Sequence, residues 1–398
     1  MLSRLSGKRV EALGERTETS TTWVNPNGSL TTELSAGPVR FRDAGVWRAV
    51  NLDLQAAGGG VEPKAHPRGL RLAGGGKATE RAAGGSGKAQ DLVTLGEGDQ
   101  QIALQWKGDL PKPALKGNRA TYRDAVRDGD VVVEATRTGF EQFVQITKRP
   151  SAEGSSYTLP LKAKGLKVVQ NKDGSLVFTG KKGKKQAVMP APVMWDAQID
   201  KVSGEHTHQA PVKLKVARGK GTINLVFTPD AKFLTDPQTQ YPVTVDPSTS
   251  ALSNVFDTYV QQGETVDWSS DVELDMGNPG TTNSDGTPRT ARSFITWNTA
   301  PISDSLVSSA KLSLWNFHSG NTDCKAYPWA VYSTGKASTA SRWTSQPTWA
   351  ATASATSTET KGNPGCAAAP DGWVNADVTD LVQTWASAKN ATSGMGLR

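Results

Sequence analysis

The chain has 398 residues, with 40 Gly, 22 Pro, four His and two Cys, and its 45 Lys and Arg against 38 Asp and Glu give a net charge of +7. That length exceeds one ordinary domain. Few stretches carry a helical period while short alternating apolar runs recur between turn signals, which argues against a Rossmann or barrel enzyme and implies an all-β chain of two successive sandwiches. No apolar run approaches the ~20 residues of a membrane-spanning helix.

The charge is unevenly placed. Residues 1–248 hold 36 basic and 25 acidic side chains, a net +11, whereas residues 249–398 hold 9 and 13, a net −4. A basic front half either attracts an acidic polymer, such as a teichoic acid or nucleic acid, or keeps the chain soluble. The interleaving of aromatic and basic residues typical of a nucleic-acid platform is not visible, so no nucleic-acid partner is expected.

In chain order, residues 1–20 read as a disordered or mildly helical N-terminus without an apolar signal core, so any signal peptide would lie upstream or have been removed, the alternative being a protein that is not exported. Residues 21–55 read as β-hairpins joining the first sandwich, with turns at Asn27-Gly28 and at Asp43 to Gly45. Residues 56–90, rich in Gly and Ala, read as a flexible segment. Its GGSGKA run fails the phosphate-loop pattern at both ends, at Ala82 and at Ala89. Residues 91–248 form the first sandwich. In it Ile102, Leu104 and Trp106 share a strand face, Asp173-Gly174 turns a hairpin, and Lys213 and Lys215 alternate with Val212, Leu214 and Val216 as on a protected edge strand.

In residues 249–398 the segments ARSFITWNTAPI and SSAKLSLWNFHSG alternate as strands, with Ile295 beside Trp297 and Leu312 beside Leu314. Asp377 opens DVTDLVQTW as a short helix presenting Leu381, Val382 and Trp385 on one face. With SRWTSQPTW between them, these landmarks resemble the DNRLRE domain, a jelly-roll module similar to carbohydrate-binding modules. TTWVNPNGSL near the front and VMPAPVMWDA before YPVTVDPSTS resemble the N-terminal part of wall-associated Rhs/YD-repeat proteins. The resemblance implies a jelly roll with one short helix, with its last strand just under way at Gly396-Leu397-Arg398 and the sheet one strand short. In such relatives further modules and a C-terminal toxin follow.

With no other thiol to compete, Cys324 and Cys366 are expected to form a disulfide, which favours an extracellular or cell-surface location; two reduced buried thiols are the alternative. No catalytic constellation emerges around His66, His206, His208 or His318. His206 and His208 alternate as metal ligands might, within a stretch that reads as an exposed loop. The loop from Asp275 to Asp285 is oxygen-rich but departs from the EF-hand pattern, and no metal ligand set is assigned. Asp267, Asp271, Glu273 and Asp275 supply carboxylates of the kind a polysaccharide hydrolase or lyase uses. Eight of the 12 tryptophans lie between Trp268 and Trp385, and Trp315, Trp329 and Trp349 are the candidates for an exposed sugar-stacking platform.

The function expected from sequence is therefore non-catalytic binding of cell-wall or extracellular polysaccharide, without a cofactor. One alternative is a structural scaffold, or an export or plug region for a C-terminal toxin, that binds no sugar. A second is a polysaccharide hydrolase or lyase.

Overall fold

The computed structural model describes residues 1–78, 80–81, 88–98, 100–150, 156–199, 206–219, 222–247, 249–251, 255–320, 323–363, 365–366 and 370–398. Strands dominate these residues and the helices are short, so the fold class is all-β. The six residues of the phosphate-loop reading that span 82–87 lie outside the described residues.

By internal contacts the chain divides into two compact units, one of Arg48–Gln198 with His206–Leu252, the other of Met1–Trp47, Ile199–Glu205 and Ser253–Arg398. The N-terminal hairpins thus group with the C-terminal residues, whereas they were expected to join the first sandwich. A hydrogen bond from the Asn298 side chain to Thr19 and the packing of Ala36 on the C-terminal core are two of the contacts responsible.

The unit beginning at Arg48 contains two large antiparallel sheets. One runs in the order Lys213–Gly219, Thr222–Thr228, Tyr157–Lys164, Gln101–Lys107, Lys88–Leu95, Leu70–Leu72, Gly60–Ala65 and Asn51–Ala57. The other is built around Arg119–Val126, Gly129–Ala135 and Gly139–Ile146, and it extends to Lys185–Met189, Leu176–Thr179 and Lys167–Gln170 through Thr249–Ala251. Their alternating apolar residues meet in one cluster. Ile102, Leu104, Leu159 and Phe227 come from the first sheet, and Tyr122, Val131, Phe140 and Phe178 from the second. Burying each such side chain stabilises the fold by about 2 kcal/mol, and the Tyr122 hydroxyl keeps a partner by donating to the Ala73 carbonyl at 2.7 Å.

Lys213–Gly219 lies at the edge of its sheet, where the exposed lysines at 213 and 215 discourage pairing with another strand. In the Gly/Ala-rich segment at 56–90, expected to be flexible, the described residues are largely in strands. Three strands from it enter this sheet, and Val61, Leu70 and Leu72 are buried in the core. Glycines serve there as points of close approach: a Cβ on Gly74 would lie 2.1 Å from the Gly59 carbonyl oxygen.

In the other unit, Ser20–Val24 pairs with Leu30–Leu34 across the Asn27-Gly28 turn, and Arg40–Asp43 with Val46–Ala49. A five-stranded antiparallel sheet runs Phe256–Gln261, Ala291–Asn298, Thr392–Leu397, Trp329–Thr334 and Ala355–Ser357. Lys311–Asn316 and Gly372–Asp377 form a two-stranded sheet. Ile295, Val331, Met395 and Leu397 from the larger sheet, Leu312 and Val374 from the smaller, and Leu381 and Trp385 from the helix Thr379–Ser387 share one core. The N-cap position falls on Val378, one residue after Asp377, which was expected to cap the helix and instead precedes it, accepting from the Thr379 N–H at 3.0 Å and the Thr379 hydroxyl at 2.6 Å. Thr392–Leu397, expected as a strand barely begun, is hydrogen-bonded on both sides, to Ala291–Asn298 and to Trp329–Thr334.

One turn recurs in both units. In Asn25-Pro26-Asn27-Gly28-Ser29, Asn171-Lys172-Asp173-Gly174-Ser175 and Asn283-Ser284-Asp285-Gly286-Thr287, the third residue's side chain accepts from the fifth residue's N–H at 3.0 Å in each case. The first residue's amide donates to the fifth residue's hydroxyl at 3.0, 2.9 and 3.0 Å. The glycines take φ of 90°, 92° and 81°, a left-handed conformation that requires glycine with little alternative.

Candidate functional site

The three candidate tryptophans do not form one platform. Trp329 is 8% exposed, and its indole N–H is spent on the Glu359 carbonyl at 3.0 Å. Trp315 is 51% exposed, but its ring meets Trp373 edge-on at 5.5 Å instead of lying flat. Trp349 belongs to a different surface, the face of the five-stranded sheet away from the core, where it packs against Phe294 and Tyr332 with centroids at 5.0 and 5.4 Å.

Each of three histidines has a local structural setting. His66 is buried, and one ring nitrogen faces the Thr136 carbonyl at 2.8 Å while the other accepts from the Arg68 N–H at 3.2 Å. Burial lowers its pKa to about 4, outweighing the bonds that favour the charged ring, so the imidazole is neutral at physiological pH. His206 and His208, paired in sequence as metal ligands, have separate surroundings: His206 lies against Trp195, whereas His208 stacks on Phe233 and bonds Asp196 through Nδ1 at 3.0 Å. Burial pushes the Asp196 carboxyl up, but N–H groups of Gln240 and Gln198, together with His208, outweigh this and leave it below its ordinary value.

Acidic side chains of the C-terminal unit converge near the strand Phe256–Gln261. Burial raises Asp275 to about 7, with the charges of Asp271, Glu273 and Glu264 adding to it, and one of its carboxylate oxygens is buried without a hydrogen bond. Burial likewise raises Asp257 to about 6. Tyr259 donates to Asp271 at 3.3 Å, and Trp268 donates to Glu264 at 3.0 Å. The far end of the oxygen-rich loop is one of the recurrent turns, and its Asp285 carboxylate, held low by the Thr287 hydroxyl and N–H, is committed there. Among the described residues no group of three or more His, Cys, Asp or Glu is arranged to hold a metal ion. Cys324 and Cys366 are joined by a disulfide, with Cα atoms 5.6 Å apart.

A second cluster was not singled out by sequence reasoning. On the same face as Trp349, the Arg292 guanidinium carbon lies 4.7 Å from the Trp343 ring centroid and 5.6 Å from that of Trp349. The Arg398 guanidinium carbon lies 4.1 Å from the Tyr332 centroid and 5.3 Å from that of Trp349. Gln346 pins the arrangement, its side-chain oxygen accepting from Arg292 and from the Trp349 indole, each at 3.1 Å. Burial lowers the Arg292 pKa, and the neighbouring Arg398 charge lowers it further. A signal for this cluster did exist in the sequence: Arg292 falls two residues before Phe294 on a strand, hence on the same face.

No protein-family model matches the chain. Over 172 residues it is 33% identical to tRNA nuclease WapA of Bacillus subtilis (strain 168), a match that takes in 42% of this chain and 7% of that protein. The tRNA(Glu)-specific nuclease WapA of Bacillus subtilis subsp. natto and the tRNA3(Ser)-specific nuclease WapA of Bacillus spizizenii match with the same identity and coverage. The chain therefore spans only a small part of the curated relatives it matches. These similarities overturn three sequence expectations: polysaccharide binding as the function, the absence of enzymatic activity, and the absence of a nucleic-acid partner. The reason for the miss is physical. Sandwich folds host many functions, and of the three tryptophans that suggested sugar stacking Trp329 is buried, Trp349 packs against Phe294 and Tyr332, and Trp315 is turned edge-on to Trp373. Among the described residues no helix is long and apolar enough to cross a membrane.

Proposed function

We propose that this chain is a β-rich carrier region of a toxin-type protein directed at tRNA, whose two units position, plug or export the nucleolytic part. The observation that carries this reading is the 33% identity over 172 residues to tRNA nucleases of which the match covers 7%. Nearly all of each relative's length lies outside the matched segment, which leaves ample room for a cleaving module elsewhere. The resemblance of residues 258–398 to DNRLRE domains, and of the front to Rhs/YD-repeat proteins, supports the same reading, since such modules precede a C-terminal toxin. An extracellular location belongs to it as well, supported by the Cys324–Cys366 disulfide.

The test is a co-culture of the producing strain, intact or lacking the codons for residues 1–398, with susceptible cells whose tRNA ends are then sequenced. The expected outcome is discrete tRNA breaks in the recipients of the intact strain and their loss with the deletion. Equal tRNA integrity in both cultures would overturn the reading. Cleavage of tRNA by the purified 398-residue chain would instead move the nucleolytic part into these residues and remove the carrier role.

A further inference from the structure

Asn27 is the one asparagine of the chain that is followed by glycine. Asparagine is a chemically labile residue, because its side-chain carbonyl carbon lies within reach of the next residue's backbone nitrogen. A side chain on that next residue hinders the approach, and Gly28 has none. Asn27, Gly28 and Ser29 are all exposed, so water reaches them from the tip of the hairpin.

The turn fixes how the Asn27 side chain is held. Its Oδ1 accepts twice from Ser29, from the N–H at 3.0 Å and from the hydroxyl at 2.7 Å. Asn25 directs that hydroxyl by donating to its oxygen at 3.0 Å. Two donors on one carbonyl oxygen draw electrons from Cγ and stabilise the negative charge that the oxygen takes up when Cγ is attacked. The Asn27 Nδ2 has no hydrogen bond among the described residues and can leave into solvent. The Gly28 N–H faces the Asn25 carbonyl at 2.9 Å, a single bond at the hairpin tip that has to open before the nitrogen reacts.

A cation stands beside the same peptide. A Cβ at Gly28 would lie 3.1 Å from Nη2 of Arg4, which comes from the short helix Leu2–Ser6, is exposed and has no ion pair among the described residues. Positive charge at this point favours loss of the Gly28 amide proton, and it favours a carboxylate next door once one has formed. The fold also accommodates that carboxylate. The turns at 171–175 and 283–287 carry Asp173 and Asp285 at the position of Asn27, with the same bonds from the fifth residue's N–H at 3.0 Å and from its hydroxyl at 2.7 and 2.6 Å.

We infer that Asn27 is a self-modification site, at which the side-chain amide is exchanged for a carboxylate that pairs with Arg4. The Gly28 nitrogen loses its proton to solvent base and bonds to Asn27 Cγ. The Cγ–Nδ2 bond breaks, and the nitrogen departs as ammonia with a proton returned by solvent, leaving a cyclic succinimide. Water then adds to the ring. Attack at Cγ breaks its bond to the Gly28 nitrogen and gives aspartate in an unaltered backbone. Attack at the backbone carbonyl gives isoaspartate, whose main chain runs through the former side chain and cannot keep the turn. Water is the only co-reactant, and nothing is oxidised or reduced.

The test holds the full 398-residue chain at mildly alkaline pH and follows every asparagine by peptide mapping and mass spectrometry, with near-UV dichroism as a fold check on the variants. When half of Asn27 has been converted, the other asparagines should still be intact. Arg4→Gln is expected to slow the conversion about threefold, the effect of one exposed charge. Ser29→Ala should slow it about fivefold, one hydrogen bond's worth. Asn27→Asp, which supplies the product directly, should slow amide exchange within residues 2–6 about threefold, and Arg4→Gln in that background should abolish the gain. Asn27 persisting while other asparagines convert overturns the site. Equal rates in wild type and both variants, or a faster rate in Ser29→Ala, would show that the turn and Arg4 do not promote the reaction. Unchanged exchange in Asn27→Asp would overturn the pairing with Arg4.

Discussion

Asp275 is the residue whose surroundings make the sharpest demand on the fold. Its pKa is about 7 where an ordinary aspartate has 3.8, raised first by burial and then by the charges of Asp271, Glu273 and Glu264. A folded-state pKa above the unfolded value means that the native protein holds the proton more tightly. The stabilising effect is complete below pH 4 and is lost as pH rises through 7. In a chelator-containing buffer, the C-terminal unit should therefore melt at a higher temperature at pH 5 than at pH 7.5. Asp275→Asn should recover on the order of 2 kcal/mol at pH 7.5, less than the full shift implies because the side chain keeps some contact with water, and almost nothing at pH 4. That gain corresponds to about 5 °C in the melting temperature of a unit of this size. A variant no more stable than wild type at pH 7.5 would show that the carboxylates are already relieved by solvent or by a bound cation. The sequence displayed this cluster as acidic letters in one loop, but it gave no measure of burial, and burial is the largest cause of the shift.

Among the elements, the recurrent Asn-x-Asp/Asn-Gly-Ser/Thr turn is readable in the sequence because every contact in it is local. Its first and third side chains each bond the fifth, and its fourth position needs a glycine. The third copy, at 283–287, is harder to recognise, since an oxygen-rich turn and an oxygen-rich metal loop use the same residues. The strand Thr392–Leu397 presents the opposite difficulty. Two glycines in TSGMGL weaken its strand signal, yet the strand is central, and Gly396 is required because the Trp349 ring lies directly over it. A Cβ at Gly396 would meet Trp349 carbons at 2.6 and 2.7 Å and the Thr334 methyl at 2.7 Å. Gly396→Ala should therefore destabilise the unit by about 1 to 3 kcal/mol, as overpacking does elsewhere, read as a lowered urea midpoint. In a Trp349→Ala background the same change should cost less than half as much, because the ring that it strikes is gone. Equal costs in the two backgrounds would place the strain in the strand backbone or against the Thr334 methyl and not against the indole.

At the scale of the whole molecule, two separate apolar cores dictate how the chain should come apart. One cluster lies entirely within residues 48–252, and the other draws on residues from 274 onward together with Ala36. Alternation along the strands made both cores legible in the sequence, but membership was not: the grouping of Met1–Trp47 with the C-terminal residues depends on long-range contacts such as Asn298 to Thr19. The disulfide joins Cys324 and Cys366 in the second unit alone, across a separation of 42 residues. Closing a loop of that size stabilises by roughly 4 kcal/mol in the chain-entropy model. Cys324 is exposed, so a reductant reaches the bond in the native state. Calorimetry should accordingly resolve two transitions, and dithiothreitol should lower only one of them, by on the order of 10 °C. Cys324→Ser with Cys366→Ser should reproduce the lowered transition without reductant, and limited proteolysis after reduction should cut first near Cys324 and Cys366 while the strands Arg119–Val126, Gly129–Ala135 and Gly139–Ile146 stay protected. A single transition, or an equal shift of both, would mean that the two cores unfold as one cooperative body, and the Gly396→Ala and Asp275→Asn effects would then have to appear in the melting of residues 48–252 as well.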